Sequence, residues 1–128
     1  MLTICIALLA IAGYLAAAGL LALPLTGRSD TPRSIMLTLA WIASLLHTVL
    51  LFGMHRGGLD LHFFAALSAV GFVIAIVTLL VNLSRPVAGL GVIVFPLAAA
   101  LLAVDVFVAP PTSPSNLDWQ IKLHVTFA

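Results

Sequence analysis

The stretch Thr38 to Phe64, TLAWIASLLHTVLLFGMHRGGLDLHFF, decides the fold. An apolar run carrying one histidine gives way to a short polar turn, and a second apolar run follows at once, which is the pattern of a helical hairpin. Trp41, Ser44, His47 and Thr48 recur at intervals of three and four, so they share one helix face. The remaining positions are mostly Leu, Ile and Val. Hydrocarbon accepts those side chains and penalises imidazole and hydroxyl groups, so the face with His47 is expected to turn toward other helices. Gly57 and Gly58 permit a sharp turn, and Asp60 stands where it can cap the next helix.

Composition extends this reading to the whole chain. Of 128 residues, 63% are hydrophobic and 7% charged, and the mean hydropathy is +1.29. Five Lys and Arg with four Asp and Glu cannot give every helix a polar outer face, as a soluble bundle requires. The chain therefore reads as an integral membrane protein whose main partner is the lipid bilayer. A net charge of +1 gives no basic surface for nucleic acid. Cys5 is the only cysteine, so no disulfide forms within the chain.

The predicted fold class is all-α: a polytopic transmembrane helix bundle with four full spans and the start of a fifth, in a single domain over 1–128. The first span covers about 2–25, an apolar run of 24 residues, and at about 1.5 Å per residue it crosses a hydrocarbon core roughly 30 Å thick. It has no Lys or Arg before it and is too long for the apolar core of a cleaved signal peptide. Ala12, Gly13, Ala16 and Ala17 are expected to form a smooth packing face. The second span covers about 34–52, with Thr31 as N-cap and Pro32 at the first helical position. The third covers about 61–83, where Ala65, Ser68, Gly71 and Ala75 form another small-residue face. After the short Ser84-Arg85-Pro86 link the fourth covers about 87–109, with a kink expected at Pro96. Pro110 to Asp118 reads as a loop. An apolar helical pattern restarts at Trp119 and stops at Ala128, as expected of the beginning of a longer protein.

The chemistry-bearing residues gather on one side. Loops two and four are separated by two spans, so they emerge on the same membrane face. His47, Asp105 and His124 are then expected roughly 6–9 Å below that face, with His55 and His62 close to it. Imidazoles at one depth on two helices suit axial ligation of haem iron, with a carboxylate accepting the second ring N–H. The candidate cofactor-binding residues are His47 and His124, with Asp105, Ser44 and Trp41 as supporting residues around them. A second reading is a proton-coupled transporter or permease subunit using His47, Asp105 and His124 as a relay. A third is a structural membrane subunit in which the same groups only hold helices together. Paired CxxC, HExxH, phosphate-loop and nucleophile-elbow motifs are absent from the sequence, which leaves the enzyme classes built on them without support. Arg28, Arg33 and Arg85 in loops one and three outnumber Arg56 and Lys122 on the other side, which favours an N-terminus outside.

The run Gly58 to Ala99, GLDLHFFAALSAVGFVIAIVTLLVNLSRPVAGLGVIVFPLAA, carries a resemblance together with SLLHTVLL (Ser44 to Leu51) before it and IKLHVTFA (Ile121 to Ala128) after it. The histidine in span two, the Arg85-Pro86 turn, Pro96 and the histidine opening helix five come in the order of the N-terminal half of the cytochrome c assembly family. The chain is most similar to that family's HemX-like and CcsA-like branch. The resemblance implies a bacterial inner-membrane protein with its N-terminus outside, working with haem and with other cytochrome c maturation proteins. It implies delivery, attachment or regulation of haem, at most as a haem-attachment accessory rather than an enzyme in its own right. It also implies that His47 and His124 contact the haem. The tryptophan-rich haem-presenting motif of the family belongs to its later half and has no counterpart in these 128 residues.

Overall fold

A computed structural model describes residues 1–27, 32–54, 63–85 and 88–108. It is built of four helices: α1 (Leu2–Leu25), α2 (Arg33–Met54), α3 (Phe63–Ser84) and α4 (Ala88–Phe107). There are no strands among the described residues. Each helix is long and apolar enough to cross a membrane. In hydrocarbon only a helix satisfies every backbone group within its own segment, so these uninterrupted apolar runs have one stable form. The protein is a multi-pass membrane protein. The expected fifth helix, its His124, and the loop residues His55 and His62 lie outside the described residues.

The expected spans and the helices agree to within two residues at every end. α1 stops where Gly27 takes a left-handed conformation, φ 70°. The Thr26 and Gly27 amides donate to the carbonyls of Leu23 and Pro24 (3.0 and 3.1 Å), and the Thr26 hydroxyl adds a bond to Leu23 O at 2.8 Å. That closes the exposed carbonyl end of the helix. Pro32 sits just before α2 rather than at its first position, its carbonyl accepting from the Ile35 amide at 3.0 Å. α4 runs without interruption across Pro96.

The helices form a four-sided ring. α1 packs broadly on both α2 and α4, α3 packs on α4, and of the four sides of the ring the α2–α3 side is the most lightly packed. A central core joins Tyr14, Leu21, Met36, Leu79 and Phe95 with alanines of all four helices, and a smaller cluster holds Ala7, Ala10, Leu50 and Leu102. Outward positions such as Leu15, Leu45, Val73 and Ile93 are large and apolar, as a lipid-facing surface requires.

Close approach depends on missing side chains at two crossings. A Cβ on Gly13 would lie 3.0 Å from Ala43 Cβ, and one on Gly71 would lie 3.0 Å from Leu101 Cδ1 and 3.4 Å from Ala98 Cα. These glycines set α1 against α2 and α3 against α4. On α3 the predicted small face is the buried one: Ala65, Ser68, Gly71 and Ala75 all point inward. On α1 the prediction holds for Gly13, which packs on Ala43, and for the buried Ala17, and needs correcting for the other two. Ala12 and Ala16 are exposed, and the buried row is Ala7, Ala10, Tyr14, Ala17, Ala18 and Leu21. The reason is Tyr14, whose hydroxyl must find a partner away from lipid and so selects which side of an otherwise uniform helix turns in.

Candidate functional site

Three helices bring polar side chains together inside the ring. Tyr14 comes from α1, Ser44 and His47 from α2, and Ser68 from α3, and all four are buried. Ser44 and His47 share a face because they are three residues apart on a helix, and Ser68 belongs to the small face on which α3 packs. The Tyr14 hydroxyl is hydrogen-bonded to Ser44 Oγ at 3.1 Å and to His47 Nδ1 at 3.4 Å. On the other edge of the imidazole, His47 Nε2 is hydrogen-bonded to Ser68 Oγ at 3.1 Å. Both ring nitrogens of a residue with 0% exposure are therefore satisfied, by hydroxyls on two different helices. Among the described residues, no buried side-chain nitrogen or oxygen lacks a partner.

Aromatic rings enclose this array. Phe72 meets the imidazole edge-on at 5.4 Å with planes at 66°, and Phe95 stacks on Tyr14 at 6.0 Å with planes at 26°. Phe72 lies one turn along α3 from Ser68 and Phe95 comes from α4, so every helix contributes to the enclosure. A dry aromatic surround strengthens each hydrogen bond and raises the cost of an unmade one.

A second polar cluster lies at the opposite end of the α2–α3 contact. Arg33 Nη2 donates to Asn82 O at 2.6 Å, to Asn82 Oδ1 at 3.0 Å and to Arg85 O at 3.4 Å. Asn82 Nδ2 donates back to Thr78 O at 2.9 Å. The guanidinium of one helix start thus neutralises the negative carbonyl end of the next helix.

The other predicted site residues take different places. Ser44 reaches His47 only through Tyr14, and Trp41 is half-buried against the central core. Thr48 bonds within its own helix, to Ser44 O at 2.9 Å. Asp105 is buried and partnered, and the two ring nitrogens of His47 are met by Tyr14 and Ser68. It stands two residues before the end of α4 (107 − 105), about 3 Å along the axis, whereas His47 stands seven before the end of α2 (54 − 47), about 10 Å. No group of three His, Cys, Asp or Glu able to hold a metal occurs among the described residues.

Tyr14 and Ser68 were not apparent as site residues in the sequence. Tyr14 had a signal, being the chain's single tyrosine at the middle of an apolar span. Ser68 had none, since a serine in a small-residue row reads as packing.

Comparison with known proteins gives no match to this chain, whether with family models, curated proteins or solved structures.

Proposed function

We propose that this protein is a membrane subunit in which His47 is the hub of a polar lock joining α1, α2 and α3, and that its contribution is to hold a defined helix arrangement in the bilayer. The observation that carries the reading is the double engagement of the imidazole, with Nδ1 on Tyr14 and Nε2 on Ser68. Such groups find few substitutes in hydrocarbon, so they specify which helix faces meet. Thermal unfolding in detergent micelles tests it: His47→Ala and Ser68→Ala should each lower the midpoint, and unchanged midpoints in both would remove the proposal.

The cytochrome c biogenesis reading has one observation in its favour. Metal-ligating imidazoles have their second nitrogen held by an oriented partner, and Tyr14 stands in that relation to Nδ1. In the arrangement described, however, both nitrogen-bearing edges of the imidazole are already engaged. Nε2 is occupied by Ser68, and Phe72 stands against the ring. Haem delivery through His47 and His124 therefore requires Ser68 to yield its bond. The visible spectrum of protein purified from haem-replete cells tests this: a Soret band lost in His47→Ala supports haem binding, and no band in the wild type removes it. On the same reading the protein sits in the bacterial inner membrane with its N-terminus outside and with Arg33 and Arg85 on the cytoplasmic side. Reporter fusions in loops two and three check that orientation.

A further inference from the structure

The four groups of the lock form an unbranched chain, Ser44–Tyr14–His47–Ser68, with hydrogen-bond contacts of 3.1, 3.4 and 3.1 Å. A neutral imidazole has one donor and one acceptor nitrogen, while each hydroxyl gives one hydrogen and accepts others. Two proton orders therefore satisfy the three contacts with the same heavy-atom positions. In one, Ser68 Oγ–H donates to Nε2, Nδ1–H donates to the Tyr14 oxygen, and the Tyr14 hydroxyl donates to Ser44. In the other every donor is reversed: Ser44 donates to Tyr14, Tyr14 donates to Nδ1, and Nε2–H donates to Ser68. In each order one terminal hydroxyl, Ser44 in the first and Ser68 in the second, accepts from the chain and turns its own hydrogen away from it.

We infer that this chain is a two-order device, in which Tyr14 and Ser68 are positioning residues that compete to set the tautomer of His47. The inference rests on the lock proposed above and gives it an internal state. The heavy-atom frame admits both orders, and the surrounding rings, Phe72 and Phe95, bring no polar group against the imidazole that would favour one. The tautomer determines what His47 offers to α3. With the proton on Nδ1, Nε2 presents a lone pair that Ser68 can leave for another donor or a metal; with the proton on Nε2, it presents only a donor. A change of partner at Ser68 on α3 is thereby registered at Tyr14 on α1.

Solid-state NMR of the full chain, 15N-labelled at histidine and reconstituted in bilayers, tests the inference, with the His47 signals assigned by their loss in His47→Gln. The wild type should show His47 neutral with both tautomers present. Tyr14→Phe removes the Nδ1 partner and should leave the Nε2–H form alone, since an unmet lone pair costs less than an unmet N–H. Ser68→Ala should leave the Nδ1–H form alone, and Ser68→Thr should restore the mixture. One tautomer shared by both variants, a single tautomer in the wild type, or an imidazolium would each overturn the inference. Should Ser68→Ala fail to fold, the wild type and Tyr14→Phe decide the matter by themselves. Failure of the lock is seen separately, as unfolding midpoints that do not move.

Discussion

His47 on α2 meets Ser68 on α3, Nε2 to Oγ, in the same helix register that sets Arg33 against Asn82. The two pairs are fourteen residues apart on α2 (47 − 33) and fourteen on α3 (82 − 68), about 21 Å along the helices. Between them lies the side of the ring where helices touch least. Polar bonds at both ends thus fix a register that apolar packing alone leaves weakly specified. A slip of one residue would carry both pairs out of reach together.

Removing the Arg33 end should loosen α3 locally. In Arg33→Met the apolar stem is kept while the donors to Asn82 and Arg85 are lost. The expected cost is about 0.3–1 kcal/mol, the range for a cation at an exposed helix carbonyl end. Hydrogen exchange of the last turn of α3, residues 81–85, should speed up, with the middle of α3 unchanged.

Glycine substitutions should divide by place. Gly71→Leu drives a side chain into Leu101 and Ala98 and should cost about 1–3 kcal/mol of unfolding free energy, as overpacking does. Gly19→Ala meets nothing within 4 Å and should be neutral or stabilising by up to about 1 kcal/mol, as alanine replaces a mid-helix glycine. Chemical or thermal unfolding in one detergent compares the two directly.

The fold was readable because apolar runs of this length admit only helices, and the hydrocarbon thickness fixes their size. His47 and Ser44 were readable as inward-facing because few polar residues interrupt α2. What was not readable is pairing. Nothing in the sequence says that the hydroxyl of Tyr14 stands across from residue 47, because that depends on how far α1 is shifted along α2, which Gly13 against Ala43 decides. On α1 the expected face is right at Gly13 and Ala17 and wrong at Ala12 and Ala16 for a related reason: alanines give no directional signal, and the one tyrosine does.

Ser68→Ala also separates the lock from a haem site. It frees Nε2, so a haem-binding His47 should take up haem more readily in this variant than in the wild type. On the lock reading, titration with hemin leaves the Soret region of both proteins without a His47-dependent band, and only stability changes. Spectra of wild type, Ser68→Ala and the double variant with His47→Ala check this.

The most direct measurement is a double-mutant cycle on His47 and Ser68, using His47→Ala, Ser68→Ala and both together, with unfolding free energies taken in the same micelles. Each single change should destabilise by about 1–3 kcal/mol by leaving a buried polar group unmatched. The double variant should be less destabilised than the sum of the singles by about 0.5–1.5 kcal/mol, the coupling of a membrane-buried hydrogen bond. Strictly additive effects would mean that the pair does not join α2 to α3, and would contradict the lock.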